Sequence, residues 1–162
     1  MILVDSSVWI DLFREKSDPR TDFLIGRLGT RDVAIPDLVL TEVLQGFTRR
    51  KDFDKARRLF EAFPLVDTAG ASVVVRAAEN YRLLKTKGVT IRSTIDTLIA
   101  TRCLLDGHAL LYSDRDFDPF VEHLGLRAAL PADTFPLSAR SPYDPSSALL
   151  GRAETGHGAP TT

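Results

Sequence analysis

The chain alternates short apolar runs with longer stretches in which apolar side chains recur every three or four positions. Apolar runs bounded by polar or turn residues predict buried strands, and the recurring spacing predicts amphipathic helices. The predicted strands are residues 1–4, 33–35, 65–66, 109–112 and 126–130. The predicted helices are residues 8–16, 19–29, 37–47, 52–62, 71–87, 94–105 and 116–124. Strands that alternate with helices indicate the α/β class, with a short parallel sheet flanked by helices on both faces.

The composition fits one soluble domain. The chain has 162 residues, of which 44% are apolar and 27% charged, as is ordinary for a globular protein with a packed core. A formal net charge of −1 does not by itself indicate a nucleic-acid partner, although an average conceals local basic patches. The single cysteine, Cys103, excludes an intramolecular disulfide and fits a reducing compartment. We therefore expect a cytoplasmic protein.

The polar residues also define the ends of the domain. Asp5 interrupts the first apolar run, and no basic segment precedes it, which is unlike a signal peptide. No stretch approaches the roughly 18 apolar residues that a membrane-spanning helix needs, so we expect no membrane association. From Pro131 the composition shifts to Pro, Ser, Gly, Ala and Thr. This shift predicts a domain at residues 1–131 and a flexible tail at residues 132–162.

Four acidic residues occupy unusual positions in this pattern. Asp5 ends the first strand, and Asp114 follows strand 109–112, whereas Glu42 and Asp96 border the apolar stripes of two predicted helices. Each one alone is also explained as a helix cap, a turn residue or a solvated border residue. Together they predict a cluster of like charges, which is unfavourable unless a cation lies among them. With no His or Cys at ligand spacing, oxygen ligands favour Mg²⁺ or Mn²⁺.

The segments around these acids resemble one known family. They are Ile-Leu-Val-Asp-Ser-Ser, Leu-Thr-Glu-Val, Thr-Ile-Asp-Thr-Leu-Ile-Ala and Tyr-Ser-Asp-Arg-Asp-Phe. In this order and spacing, over about residues 1–130, they resemble the PIN domain, and within it the VapC-type toxin ribonucleases of bacterial type II toxin–antitoxin pairs. The resemblance implies an α/β/α sandwich and a Mg²⁺- or Mn²⁺-dependent endoribonuclease, with transfer RNA as the favoured substrate class. It also implies a cognate antitoxin that covers the site, and a homodimer.

The resemblance further implies roles for individual residues. Asp5 and Asp96 would be the principal metal ligands, and Glu42 and Asp114 would complete the acidic pocket, directly or through water. Further candidates are the neighbouring hydroxyls of Ser6, Thr41 and Ser113, and Asp116 as an outer acid or helix cap. None of the histidines His108, His123 and His157 lies in these motifs. We therefore expect a metal-activated water as the nucleophile, which leaves 5′-phosphate and 3′-hydroxyl ends; 2′,3′-cyclic phosphate products would contradict this mechanism.

A basic stretch follows the segment that contains Glu42. Residues 49–58 include six basic and two acidic residues, so they form either an ion-paired helix face or a phosphate-binding patch. The RNA-binding candidates are Arg49, Arg50 and Lys51, with Arg92 close to Asp96 in sequence. The aromatic side chains are assigned mostly to the core, and Trp9 is expected to be partly exposed near Asp5.

Three other functions remain open on the sequence. A non-catalytic RNA-binding or interaction module would share the fold, but all four acids of a nuclease are present. A phosphohydrolase of the haloacid-dehalogenase kind needs a second Asp two residues after the first, where this chain has Ser7. A DNA nuclease of the same superfamily usually carries additional helical elements, for which 162 residues leave little room.

Overall fold

A five-stranded parallel sheet forms the centre of the computed structural model, which describes residues 1–130; the predicted flexible tail at residues 132–162 lies outside the described residues. The strands are β1 (Ile2–Val4), β2 (Val33–Pro36), β3 (Leu65–Val66), β4 (Ala109–Leu111) and β5 (Arg127–Ala128), in the order β3-β2-β1-β4-β5. In the central strand, Leu3 pairs with Ala34 on one side and with Leu110 on the other. All three are fully buried, as expected for a parallel strand covered on both faces.

Within residues 1–130, seven α-helices connect and cover the strands. They are α1 (Ser6–Phe13), α2 (Pro19–Ile25), α3 (Asp37–Gln45), α4 (Arg50–Phe60), α5 (Ala71–Thr86), α6 (Thr94–Asp106) and α7 (Asp118–Leu124), and a 3₁₀ turn (Arg115–Phe117) precedes the last. Every predicted helix and strand is present, and the differences lie at the ends. The predicted second helix stops early, at Gly26, and the last strand covers two of its five predicted residues, because it lies at the sheet edge and pairs only with β4. No helix within residues 1–130 is long and apolar enough to cross a membrane.

The strand order assigns the helices to two layers. From β1 the chain adds β2 and then β3 on one side, after which it returns to place β4 and β5 on the other side of β1. Because parallel crossovers are right-handed, this change of direction puts the later helices on the opposite face of the sheet. The packing agrees: α1 contacts α2 and α3, and α3 contacts α4, whereas α5 contacts α6 and α7. The predicted α/β/α sandwich is therefore confirmed.

An aromatic cluster fills the core beneath α1. Trp9 is fully buried, with edge-to-face contacts to Phe60 at 4.9 Å and to Phe63 at 5.4 Å between ring centroids. Phe13, one turn further along α1, contacts Phe47 at 5.3 Å. The expectation that Trp9 is partly exposed was wrong. Its position faces α4, and the sequence of α1 alone does not indicate which helix covers it.

Two glycines that end helices differ in the sign of their backbone φ angle, and substituting them tests whether a helix end requires glycine. Gly107 ends α6 in the left-handed conformation, with φ of 66°, whereas Gly26 ends α2 with a right-handed φ of −63°. We expect Gly107→Ala to lower the free energy of unfolding by about 1 kcal/mol. Gly26→Ala is the matched control, and it should raise this free energy by about 0.5 kcal/mol because it restricts the unfolded chain without strain. Urea unfolding measures both, and equal effects would contradict the conformational argument.

Candidate functional site

The four acidic residues converge on the place where the sheet changes its direction of growth. Asp5 directly follows β1, and Asp114 lies three residues after the end of β4, the strand that pairs with β1. The chain leaves these two neighbouring strands towards opposite faces of the sheet, which opens a crevice at their carboxyl ends. Glu42 comes from α3 in one helical layer, and Asp96 comes from α6 in the other. The site therefore uses all three layers of the sandwich.

Asp5 is fixed at the end of β1 by both its backbone and its side chain. Its N–H donates to the carbonyl of Leu111 at 2.9 Å, which extends the pairing with β4. Its Oδ2 accepts from the backbone N–H of Ser7 at 3.0 Å and from the Ser7 hydroxyl at 2.5 Å. Asp5 is therefore the N-cap of α1, although the serines that follow it, Ser6 and Ser7, are equally good N-cap residues by type. Only 3% of Asp5 is exposed.

Ser6 links the first acid to the second. The Ser6 side chain hydrogen-bonds Glu42, and this contact joins the first turn of α1 to the middle of α3. Burial raises the pKa of Glu42, and the Ser6 hydrogen bond partly offsets the rise. Thr41, the neighbour of Glu42, has a different environment. It is exposed, and its hydroxyl donates to the backbone carbonyl of Asp37 at 3.0 Å within α3.

Asp96 lies in the first turn of α6, where the Ser93 hydroxyl accepts its backbone N–H at 3.1 Å. Ser93 is thus the N-cap of this helix, and its side chain also hydrogen-bonds the Asp96 carboxylate. Burial, followed by the negative charge of Asp5, raises the pKa of Asp96 to about 8. The Ser93 hydrogen bond opposes this rise without cancelling it. Asp96 therefore lies within the electrostatic reach of Asp5, although the two residues are far apart in sequence.

Asp114 begins the 3₁₀ turn and carries the fourth carboxylate. Its Oδ1 accepts from the backbone N–H of Asp116 at 2.9 Å, and burial raises its pKa. The negative charge of Asp116 adds to the rise, whereas the positive charge of Arg92 opposes it. Ser113 donates its backbone N–H to the Ser7 hydroxyl at 3.1 Å. Its own hydroxyl is buried and forms no hydrogen bond within residues 1–130.

The four carboxylates form one electrostatically coupled group. Burial raises the pKa of Asp5 to about 6, and the charges of Glu42 and Asp114 add to the rise, against two hydrogen bonds from Ser7. In the part of the chain that the structure describes, no three His, Cys, Asp or Glu side chains are grouped closely enough to hold a metal ion. To ligate one cation together with Asp5, which Ser7 holds, the side chains of Glu42, Asp96 and Asp114 would therefore have to turn towards it. The donor set, carboxylates and hydroxyls only, fits a hard divalent ion.

The basic candidates for RNA binding differ in the partners that their side chains already have. Arg49 and Lys51 are exposed at the start of α4. Arg50 forms an ion pair with Asp54 at 3.0 Å and lies over the Phe53 ring, so it belongs to the ion-paired helix face that the sequence left open. Arg92 is exposed, and its charge acts on Asp114. Of the basic candidates, Arg92 is thus the one with an electrostatic link to the acidic group.

The structure adds Ser7 and Ser93 to the site residues that the sequence predicts. Ser7 lies two positions after Asp5, and Ser93 three positions before Asp96, which are the spacings at which a hydroxyl meets a neighbouring helix-terminal group. Both spacings were visible in the sequence. The hydrogen bond from Ser113 to Ser7 spans 106 positions and had no such signal.

Comparisons with known proteins identify the class to which this fold and site belong. A family model described as the PIN domain matches residues 2–121, so the chain belongs to the PIN domain family. The VapC ribonuclease Mb1587 of Mycobacterium bovis is 29% identical over 132 residues, which cover 80% of this chain and 98% of that protein. Ribonuclease VapC11 of Mycobacterium tuberculosis matches with the same values. The resemblance to VapC-type PIN domains is thereby confirmed, and the haloacid-dehalogenase alternative is excluded.

Solved structures share the fold at lower sequence identity. The crystal structure of VapBC2 from Rickettsia felis, bound to a promoter DNA fragment, matches with a TM-score of 0.63 and 19% identity, over 79% of this chain and 97% of that chain. A toxin–antitoxin complex from Klebsiella pneumoniae matches with a TM-score of 0.60 and 17% identity, over 78% and 95% of the two chains. These similarities support the same α/β/α architecture.

The acidic group predicts how stability depends on pH. The pKa of Asp5 rises from 3.8 to about 6 and that of Asp96 from 3.8 to about 8, so the folded state keeps protons that the unfolded chain releases. Without divalent cations, the free energy of unfolding should therefore fall as pH rises between these values. Asp96→Asn should raise stability at pH 8 by about 1 kcal/mol or more and flatten this dependence.

Urea unfolding in EDTA at pH 5 and pH 8 measures this effect. Asp67→Asn, which removes one exposed carboxylate outside the acidic group, is the matched control and should change neither value. If Asp96→Asn were as sensitive to pH as the wild type, Asp96 would not be part of a coupled group.

Proposed function

We propose that the chain is a divalent-metal-dependent endoribonuclease and the toxin of a type II toxin–antitoxin pair. The observation that carries the proposal is the group of four coupled carboxylates at the carboxyl ends of β1 and β4. Burial, with the charges of Glu42 and Asp114, raises the pKa of Asp5 to about 6, and burial, with the charge of Asp5, raises the pKa of Asp96 to about 8. Membership of the PIN family and the VapC ribonucleases among the relatives support the same activity.

Asp5 and Asp96 would be the principal ligands of Mg²⁺ or Mn²⁺, and Glu42 and Asp114 would complete the set, directly or through water. When bound, the cation supplies an activated water and stabilises the charge that develops on the phosphate. The serine hydroxyls orient the carboxylates: Ser7 holds Asp5, and Ser6 holds Glu42. Arg92, whose charge acts on Asp114, binds a phosphate oxygen of the substrate. The carboxylates alone repel a phosphodiester, so this guanidinium favours substrate entry.

The proposed substrate is RNA, with transfer RNA as the class suggested by the family resemblance. Hydrolysis by water leaves 5′-phosphate and 3′-hydroxyl ends. Within the acidic group no histidine is present to deprotonate a 2′-hydroxyl, since His108 and His123 lie in other segments of the described chain. The exposed Arg49 and Lys51 would add sequence-independent phosphate contacts, and Arg50 would do so after exchanging its partner Asp54.

The partners follow from the same family. The Klebsiella pneumoniae structure is described as a toxin–antitoxin complex, which supports a cognate antitoxin that covers the acidic site of this chain. A homodimer and a cytoplasmic location remain part of the proposal. Thr41, Ser113 and Asp116 are outer members of the proposed site, of which Asp116 has the closest contact, through its N–H to Asp114.

RNA cleavage tests the proposed activity directly. With Mg²⁺ or Mn²⁺ the wild type should cut total RNA into discrete fragments with 5′-phosphate ends, and EDTA should abolish cleavage. Asp5→Asn and Asp96→Asn should each lower the rate by more than about a hundredfold, since even indirect disturbance of a metal site costs 10–100-fold. Asp67→Asn serves as the control. Metal-independent cleavage, or 2′,3′-cyclic phosphate ends, would overturn the mechanism, and no cleavage by folded, antitoxin-free protein would favour a binding module.

The basic residues should determine how strongly RNA affinity depends on salt concentration. Changing Arg49, Arg50 and Lys51 together to glutamine should weaken binding at low salt and reduce the slope of log K against log salt by about 2, because each lost contact to single-stranded RNA contributes about 0.7. The same change at Arg76, Arg82 and Lys85, which are exposed on α5, is the charge-matched control. Fluorescence anisotropy at several salt concentrations gives the slopes. Equal slopes for the two triple variants would assign residues 49–51 to a solvated helix face.

A further inference from the structure

The hydroxyl of Ser7 lies between the two strand ends that carry Asp5 and Asp114. Ser7 is the second residue of α1, and 3% of it is exposed. Its Oγ contacts Asp5 Oδ2 at 2.5 Å and receives the N–H of Ser113 at 3.1 Å. Ser113 immediately precedes Asp114. One side chain thus connects the end of β1 to the segment after β4, beyond the last paired residues of both strands.

The two partners of the Ser7 hydroxyl determine which of them receives its proton. A hydroxyl has one proton to donate and lone pairs that accept. The Ser113 N–H can only donate, so it uses a lone pair of Ser7 Oγ, and the Ser7 proton goes to Asp5. A hydroxyl that donates to an ionised carboxylate forms a charge-assisted hydrogen bond, which is stronger than a neutral one. Consecutive bonds of this kind polarise one another and strengthen the chain.

The hydrogen bonds to Asp5 also orient its carboxylate. The Ser7 N–H and the Ser7 hydroxyl both donate to Oδ2, and neither of these two hydrogen bonds uses the lone pairs of Oδ1. Since the backbone N–H of Asp5 is held by Leu111 on β4, both the position and the rotation of the carboxylate are determined. Ser6 and Ser93 each hold one other acid, whereas the hydroxyl of Ser7 joins two strand ends.

We propose that Ser7 is a positioning residue for the cation site: its hydroxyl orients the Asp5 carboxylate and sets the separation between the strand ends that carry Asp5 and Asp114. The inference rests on the proposed function, because it takes these carboxylates as the cation ligands. Without the hydroxyl, Asp5 would lose one of its two donors, and the Ser113 N–H would lose its acceptor. The carboxylates would then rotate apart under their own repulsion, and a cation would have to realign them on binding.

The test measures Mn²⁺ affinity by isothermal titration calorimetry and, separately, the Mn²⁺ dependence of RNA cleavage, both on the full-length chain. Ser7→Ala should weaken Mn²⁺ binding about 10–100-fold. The Mn²⁺ concentration for half-maximal cleavage should rise by the same factor, whereas the rate at saturating Mn²⁺ should stay within about threefold of wild type. Ser7→Thr, which keeps the hydroxyl, should restore most of the affinity.

Two further variants separate positioning from general stability. Thr101→Val removes another fully buried hydroxyl that joins two elements, since Thr101 on α6 accepts from Asn80 on α5 at 2.9 Å. It should leave Mn²⁺ affinity unchanged. Ser7→Cys keeps nearly the same side-chain volume but has a weaker hydrogen-bond donor, and it replaces Ser7→Ala in the experiment if the alanine variant does not fold. Its affinity should lie between those of wild type and Ser7→Ala, or at least tenfold below wild type if the alanine variant is lost.

The outcomes distinguish this inference from the proposed function. If wild type and Ser7→Ala (or Ser7→Cys in its place) bind Mn²⁺ equally well, the positioning role is overturned, whether or not RNA is cleaved. If the wild type binds Mn²⁺ and the Ser7 variants bind it weakly, but none cleaves RNA, the positioning role stands and the nuclease proposal fails. A wild type that binds no Mn²⁺ at all would overturn both. Equal weakening by Thr101→Val would assign the effect to general loss of packing.

Discussion

The repulsion among four buried carboxylates is the constraint on which the rest of this structure depends. In the low-dielectric crevice between β1 and β4, each negative charge raises the cost of the others, and burial adds to that cost. Asp96 is the most affected, with its pKa raised to about 8 by burial and by Asp5. Such a group persists only where the surrounding fold holds it in place. A bound divalent cation would relieve the repulsion, so the repulsion would add to the affinity for that cation.

The fold supplies this support through short, local hydrogen bonds at helix and strand ends. Asp5 caps α1, Asp114 caps the 3₁₀ turn, and Ser93 caps α6 next to Asp96. Asp5, Asp96 and Asp114, but not Glu42, thus lie at a helix N-terminus, whose partial positive charge favours a carboxylate. The core beneath the site, including the fully buried Trp9 and the aromatic side chains packed against it, provides favourable burial that offsets the repulsion. The acidic group therefore lowers the stability of the fold at the crevice, and the packing of the core below it compensates for this loss.

The change of direction in the sheet explains why the acids meet at all. A sheet that grew in one direction only would place all its helices on one face, and Glu42 and Asp96 would then belong to the same layer. Because β4 returns to the other side of β1, α3 and α6 approach the crevice from opposite faces. The result is one pocket lined from three layers, which suits a cation that must be surrounded. An antitoxin that covered the carboxyl ends of β1 and β4 would close this pocket.

The sequence by itself determined the class of fold, the identity of the four acids and the family. Apolar runs and helical spacing are local properties, so the strands and helices were all predicted, and residues such as Asp5 stand out because a charge ends a buried run. Helix ends were less predictable, since the N-cap of α1 is Asp5 rather than a serine and depends on backbone geometry. Only the tertiary structure decided that Trp9 is buried, that Thr41 bonds within its own helix, and that Ser7 joins Asp5 to Ser113. The burial of Trp9 and the link from Ser7 to Ser113 are contacts between distant segments, and their energies depend on which layers pack together, which no local pattern of residues encodes.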